Sequence, residues 1–496
     1  MRFIAYFLFT PILLFSKDST TSVVFRDKPS RTIMLKVVRS SDITPQLWEG
    51  FTLVRNANSG DPAALHELGL RYLTGQGFTA DTLKSFELIR KAAEKNYLLA
   101  HYNMAVYYHN GWGIDWNPFI GFKHFQYAAE GGLREGAFAY SLQFTDNLVV
   151  PRNWKIALYW MQKAVELGYA PAKDILPEIE RYAAQQRSDS ALTLTTITAL
   201  RARAPILMDF TNAEAEDPEN SFSLIEILHA LGPLWQKKIK SYMVVNDSIL
   251  FDELVRHAEW GVPEEFAVLG RCYENGIVVP RDSVQSILNY LRAVRLESHR
   301  APNVLIRLLN NDHLLKRIQQ RSAQGNAEAQ YIISSLSLTE IFPFQHKEDI
   351  VTTFLKSAQQ NFTPSMIELG TAYFNGQIVP QQKERAIEFW TNASKAGCKE
   401  GLVRMASAKV LTGYGDITND SALQILMTGN KEESLLAEVT LAYCYENGIV
   451  VSKRTVESVR MYRSAANRGS KIAFASLRRL YDSVRPDEKE FQIMEE

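Results

Sequence analysis

Cysteine is nearly missing from this chain of 496 residues: there are three, Cys272, Cys398 and Cys444, and so small and odd a number builds no disulfide framework. Charge imbalance is missing too. With 55 basic against 55 acidic side chains there is no clustered basic excess, which excludes nucleic acid and anionic lipid as principal partners. Beyond residue 16 no apolar run reaches the ~20 residues of a membrane span. Motifs that carry chemistry are absent as well: no H-E-x-x-H, no G-x-x-x-x-G-K-[ST], no G-x-S-x-G. Nine histidines are scattered; His101 and His109, eight apart, can share a helix face, but no carboxylate or cysteine completes a metal-ligand spacing. These absences argue against an enzyme and leave no catalytic residue, metal or cofactor to name.

What the chain does have is a period. Leu68, Met104, Tyr140 and Leu176 stand 36 residues apart, as do Ile333, Leu369, Met405 and Leu441. Four residues before each anchor the side chain is small: Ala64, Ala100, Gly136 and Ala172, then Ala329, Ser365, Gly401 and Ala437. The next position after the anchor is small too (Gly69, Ala105, Ser141, Ser334, Gly370, Ala406, Ala442), and four after it stands an aromatic in most copies (Tyr72, Tyr108, Phe144, Tyr373, Tyr445). These offsets share one helical face. Glycine turns follow at Gly75-Gln76-Gly77, Gly111-Trp112-Gly113, Asn375-Gly376 and Asn447-Gly448, and a second helix then ends on small pairs such as Ala92-Ala93, Ala128-Ala129 and Ala465-Ala466. One such hairpin cannot bury both helices, so copies must stack.

The string Ala-x-x-x-Leu-Gly-x-x-Tyr-x-x-Gly-x-Gly, closed by Ala-Ala-Glu, resembles the Sel-1-like repeat, a relative of the tetratricopeptide repeat. It is carried best by Ala64–Glu94, Ala100–Glu130, Glu265–Val294, Ser365–Gly397 and Ala437–Gly469, with Asn-Gly-Ile-Val-Val at both 275–279 and 447–451. Departures are visible at Tyr140 and Asn147, at Pro177, and at Ser337 and Glu340. The resemblance implies an all-α fold, an α-solenoid coiled as a right-handed superhelix and broken into two or three arcs. The expected layout is a signal peptide at 1–16, an arm or cap at 17–58, a first repeat block at 59–177 and an irregular helical linker at 178–260. A single repeat at 261–297, an irregular insertion at 298–322, a second block at 323–470, and a capping helix with polar tail at 471–496 complete it.

The signal reading rests on the apolar run Phe3–Phe15 behind Arg2, and a membrane anchor or buried first helix are its alternatives. Sequons at Asn246, Asn392 and Asn419 fit glycosylation in a eukaryotic secretory pathway; Asn361 is followed by Thr363-Pro364, and Asn392, late in a second helix, is expected to be hidden. Trp112, Trp116, Trp154 and Trp160 are expected to pack between repeats, with an aromatic binding surface as the alternative. Cys272 and Cys444 hold the same repeat position on different hairpins and are expected as free, buried thiols.

Stacked hairpins line one wall with their first helices. Positions outside the packing set on that wall, Glu67, Arg71, Asn103, Tyr107, Gln143, Glu368, Arg404 and Thr440, are the candidate protein-binding residues. The function expected is an exported, non-enzymatic scaffold. The chain is similar in repeats and segmented layout to the lumenal adaptor of endoplasmic-reticulum-associated degradation, which implies a membrane ubiquitin ligase and misfolded client proteins as partners. That adaptor ends in a membrane span, whereas Pro486–Glu496 is acidic and polar. A bacterial periplasmic or secreted protein contacting envelope or host proteins, a homodimer, and a hydrolase using Glu130, Glu135 and Asp146 stay open as alternatives.

Overall fold

A computed structural model of the protein describes residues 4–6, 23–26, 31–34, 50–188, 224, 228, 233–241, 246–298, 301–309, 311–338, 347–376 and 378–493. Most of the expected signal segment and the charged stretches at 201–203 and 212–220 lie outside the described residues. The chain divides into two compact units. The N-terminal unit holds residues 2–26, 30–190 and 475–496; the C-terminal unit holds 191–474 with residues 1 and 27–29.

In the N-terminal unit three short strands, β1 (Ile4–Tyr6), β2 (Val23–Arg26) and β3 (Arg31–Met34), form a sheet in the order β1-β3-β2. β1 runs parallel to β3, and β2 runs antiparallel to it with Val24 opposite Ile33. Helices follow: α1 (Gly50–Asn58), α2 (Pro62–Thr74), α3 (Thr82–Ala93), α4 (Leu98–Asn110), α5 (Pro118–Glu130), α6 (Arg134–Leu142), α7 (Trp154–Glu166) and α8 (Ala170–Ser188). The C-terminal unit contributes α9 (Pro233–Ser241), α10 (Asp247–Ala258), α11 (Pro263–Asn275), α12 (Ser283–Arg295), α13 (Ala301–Leu309), α14 (Asp312–Ala323), α15 (Ala327–Leu338) and α16 (Lys347–Ala358). Its remaining helices are α17 (Thr363–Asn375), α18 (Lys383–Lys395), α19 (Lys399–Thr412), α20 (Asn419–Lys431), α21 (Leu435–Asn447) and α22 (Thr455–Asn467). α23 (Lys471–Asp482) begins there and belongs to the N-terminal unit from Ala475 onward.

First and second helices of each hairpin differ as their sequences require. α4 is apolar almost all round and buries Ala100, Tyr102, Asn103, Met104, Ala105, Val106 and Tyr107. α3 is amphipathic and buries only Ser85, Ile89, Ala92 and Ala93. A first helix is thus packed between two second helices, and a second helix keeps one face outward.

The two small positions serve those two neighbours. Four before the anchor, a Cβ on Gly136 would lie 2.8 Å from the carbonyl carbon of Ala128 in the preceding α5, and one on Gly401 would lie 2.6 Å from the carbonyl oxygen of Trp390 in the preceding α18. One after the anchor, a Cβ on Gly69 would lie 2.7 Å from Ile89 in the following α3, and on Gly270 the same distance from the Tyr290 ring in the following α12. Where that second position is serine it bonds across: Ser141 Oγ donates to the Ala157 carbonyl at 2.6 Å.

Several first helices end on left-handed glycines, Gly75 at φ 70° and Gly448 at φ 71° among them, whereas α6 ends on Gln143 at φ −64°. Two residues on, the first block again uses glycine (Gly77, Gly113), whereas the C-terminal unit puts Val278 (φ 67°), Ile378 (φ 57°) and Val450 (φ 53°) in the same region, a strained place for β-branched side chains.

Helices also fill the stretches outside the regular repeats. The 298–322 stretch carries two regular helices, α13 and α14, with no glycine between them. Within 178–260, α8 runs through Pro177 to Ser188, and α9 and α10 are regular helices whose Trp235, Leu250 and Leu254 are buried.

In a helix interior alanine normally gains ~0.5–1 kcal/mol over glycine. At Gly136 that gain meets backbone that cannot move aside, so overpacking wins: Gly136→Ala is expected to lower unfolding stability by about 1–3 kcal/mol in urea denaturation followed by circular dichroism. Gly50→Ala, where nothing lies within 4 Å, is expected to leave stability unchanged or slightly higher.

Candidate interaction surfaces

The structure covers most of the first-helix wall. In the N-terminal unit Glu67 is 3% exposed and pairs with Arg71 Nε at 3.1 Å; Asn103 is fully buried and its Nδ2 donates to His66 Nε2 at 2.6 Å. The Tyr107 hydroxyl lies 2.5 Å from Ser85 Oγ, its ring takes the edge of Trp112, and burial pushes the phenol well above its ordinary value. Gln143 is buried, donating to the Ala139 carbonyl at 3.2 Å.

The same holds in the C-terminal unit. Glu368 receives a two-pronged pair from Arg295 (2.9 and 2.5 Å); burial alone would raise its carboxyl, and the guanidinium outweighs that and holds it below the usual range. Arg404, half-buried, binds Glu400 at 2.7 Å, and Thr440 shares a hydrogen bond with Ser407 at 2.9 Å. Elements distant in sequence close over this wall. Arg468 grips Glu264 through Nε (2.9 Å) and Nη2 (3.0 Å), reaches Glu438 at 3.1 Å and donates to the Glu433 carbonyl at 2.6 Å. Lys238 sits 3.2 Å from Glu253 and 3.8 Å from Glu432, and His257 Nε2 sits 3.1 Å from Glu432. Glu265 accepts from Trp235 Nε1 at 2.6 Å and from His257 Nδ1. The Glu400 amide donates to the Glu259 carbonyl at 2.6 Å. Glu368 and Arg404 therefore serve ion pairs within the unit, and Thr440 a hydrogen bond within it.

What remains outward is the second-helix face. On α5 Ile120 and Tyr127 are each 40% exposed; on α7 Ile156 is 38% and Tyr159 53% exposed, and Leu83 on α3 stands out at 56%. Rings are layered beside them: Tyr127 stacks on His101 (centroids 4.0 Å), His101 meets His124 with Nδ1 atoms 3.0 Å apart, and Tyr108 stacks on His124 at 5.9 Å. Burial, then the proximity of His101, pushes His124 down to about 4, and burial lowers His101, so both rings are neutral at physiological pH. One sequence pairing is replaced here. His101 pairs with His124, while His109 packs against Gly121 and the Phe125 ring.

The tryptophans pack. Trp112 meets Tyr107, Trp116 meets Tyr481, Trp154 stacks on Tyr182 at 4.5 Å and Trp160 meets Tyr140. The acids beside them turn to local partners: Glu130 to Gln126, Glu135 to Arg134, and Asp146 to the Leu148 amide. All three cysteines are free and buried, with the Cys272 thiol pushed up to about 12 and Cys444 to about 11 by burial. Among the described residues no group of three His, Cys, Asp or Glu side chains could hold a metal, and no helix is long and apolar enough to cross a membrane. Asn246 and Asn419 are exposed, and so is Asn392, which the second helix does not hide. Asn246 caps α10 through its oxygen (2.9 Å to the Ile249 amide), leaving its nitrogen outside that bond.

The carboxyls of the ion-pair network fix a pH dependence. Glu433 is raised to about 7, by burial first and by Glu264 and Glu265 after it, against the opposing pull of Arg468; Glu265 and Glu438 are also raised. A raised acid binds its proton more tightly in the folded chain, so its stabilisation is complete below the unfolded value near 4.5 and is lost as pH climbs through about 7. Glu433 alone is expected to lower the unfolding free energy of the wild-type chain by about 2 kcal/mol between pH 5 and 8, and Glu433→Gln should make the slope shallower by that amount. Urea titrations at stepped pH would read both.

The Sel1 repeat model matches residues 62–97, 98–133, 141–169, 267–298, 363–398 and 436–470. No curated protein matches the chain. Among solved structures it is similar to a protective antigen present in uropathogenic Escherichia coli strains that displays an SLR fold, at 20% identity over 87% of this chain and 90% of that one (TM-score 0.32). It is similar also to a Sel1 repeat protein from Oxalobacter formigenes, at 27% identity over 27% of this chain and 99% of that one (TM-score 0.25). Six matched copies arranged as stacked helical hairpins show that the chain carries Sel1 repeats, built as an α-solenoid.

Proposed function

We propose that this Sel1-repeat chain is a non-enzymatic scaffold of the secretory pathway that holds other proteins on the outer face of its second helices. In its most specific form it is a lumenal adaptor in endoplasmic-reticulum-associated degradation, joining a membrane ubiquitin ligase to misfolded clients. The observation that carries the binding role is the contrast between the two walls. First-helix polar residues are occupied inside the chain, whereas Ile120, Tyr127, Ile156 and Tyr159 stand outward beside the layered rings of His101, His124 and Tyr108. Rigid aromatic side chains with a polar tip are the anchors that protein interfaces favour, since they bury large area at little entropic cost.

The lumenal form draws its support from the apolar leader Phe3–Phe15 and from exposed asparagines at three sequons, Asn246, Asn392 and Asn419. Expression in eukaryotic cells with a C-terminal tag, affinity capture and endoglycosidase digestion test it together. A drop in mass and a co-captured membrane ubiquitin ligase are the expected results. An unglycosylated chain, or a glycosylated one recovered from the medium without ligase, contradicts the adaptor reading.

The surface has its own test. Tyr127→Ala with Tyr159→Ala is expected to weaken partner capture at least tenfold, as loss of interface anchors does. Cooperative unfolding should be retained with a lowered thermal midpoint, because Tyr159 is exposed while Tyr127 gives up its stack on His101 and its hydrogen bond to Asn96 (2.9 Å).

A further inference from the structure

Residues 482–491 lie against the N-terminal unit as a bound peptide would. Only two of their side chains are inserted: Phe491 is 1% exposed and Arg485 9%, while Asp482, Ser483, Val484, Asp487, Glu488, Lys489 and Glu490 face solvent. Phe491 enters between Phe119 and Phe122, edge-on to both at 5.1 and 5.5 Å. The Arg485 guanidinium lies over Phe119 (5.1 Å), donates to the carbonyls of Leu148 (2.8 Å) and Val149 (3.1 Å), and turns back to the Phe491 carbonyl at 2.6 Å. Lys123 pairs with Glu490 at the rim. Two anchors with a solvated segment between them is how short extended ligands are read.

The repeat itself does not need this cover. The turn Asn147-Leu148-Val149-Val150-Pro151-Arg152 has a close counterpart in Gly276-Ile277-Val278-Val279-Pro280-Arg281. In the counterpart Val278 is 38% exposed and Pro280 and Arg281 face solvent, yet the hairpin of α11 and α12 is complete, with Leu269, Ile287 and Leu291 buried. At the covered turn Leu148, Val149 and Val150 are 0, 1 and 3% exposed. Val149 has no positive φ, unlike Val278, and its carbonyl takes part in the arginine socket.

We propose that this groove is a recognition site for an extended segment of a partner protein that presents an arginine and, six residues later, a phenylalanine, and that the chain's own tail is its resident, exchangeable occupant. The inference deepens the scaffold reading by naming the chemistry of one ligand class. Tethering gives the tail a high effective concentration, so an untethered partner segment gains access when the tail is released or outcompeted.

The test uses the full-length chain with Arg485→Ala and Phe491→Ala, a fluorescent peptide of residues 480–493, and anisotropy titration. Saturable binding to the double variant, at least tenfold weaker binding to wild type, and none by a peptide lacking both anchors is the expected pattern. Absence of peptide binding to a double variant with wild-type helicity and thermal midpoint would overturn the proposal, and would leave capture through the α5 and α7 face untouched. Should the double variant lose cooperative unfolding, Arg485→Lys replaces it: peptide binding tighter than to wild type supports the site, and binding equal to wild type overturns it.

Discussion

The helix crossings at the repeat's glycine positions depend on backbone coming close to backbone or to a fixed ring. Two residues per first helix, five apart, face opposite neighbours: Gly136 and Gly401 meet the helix before them, Gly69 and Gly270 the helix after them. Where the place is glycine, a side chain larger than serine would push the neighbouring helix away; in α11 the first of the two places is instead Glu265, held by Trp235 and His257. Each hairpin touches mainly its sequence neighbours, so this constraint is repeated copy by copy, and in the C-terminal unit ion pairs between distant copies add to the local interfaces. The fully buried tyrosines and phenylalanines, Tyr102, Phe125, Phe138 and Phe266 among them, fill the space between those crossings, each worth roughly 1.5–3 kcal/mol of burial.

Close crossings also decide which surface is left to bind with. A first helix pressed on both sides has little free perimeter, and what it has is polar. In the N-terminal unit that perimeter is satisfied by neighbouring copies, Asn103 by His66 and Tyr107 by Ser85; in the C-terminal unit it is satisfied from far along the chain, Glu368 by Arg295 and Glu438 by Arg468. Buried charges of this kind must be paired, and breaking one member leaves the other stranded at a cost of about 3–5 kcal/mol. The network is therefore a structural closure. The second helices, pressed on one side only, keep the outward face on which Tyr127 and Tyr159 stand.

Much of this was legible in the residues. The 36-residue step located α2, α4, α6, α17, α19 and α21, and the Gly-x-Gly and Asn-Gly turns located their ends, because helix crossing and helix termination are local demands that repeat in every copy. The fate of Glu67, Asn103, Glu368 and Thr440 was not legible, since register tells which face a residue is on and nothing about what comes to meet it. Arg468 and Glu264 lie in different copies far apart in sequence, and no period links them. Tail docking was hidden for the same reason: Arg485 and Phe491 stand outside the repeats, and the eroded third copy at Tyr140 and Asn147 gave the only hint that its turn had another task. The helices α13 and α14 escaped because they lack the glycine turn that marked the others.

Hydrogen–deuterium exchange across the native full-length chain tests the central claim that the first-helix wall is closed. The account predicts that amides of α2, α4, α17 and α21 exchange only through opening of whole hairpins, more slowly than the amides of α3, α5 and α7, which have one face in water. First-helix amides exchanging as fast as those of the second helices would mean an open wall, and would return Glu67, Asn103, Tyr107 and Glu368 to the binding surface.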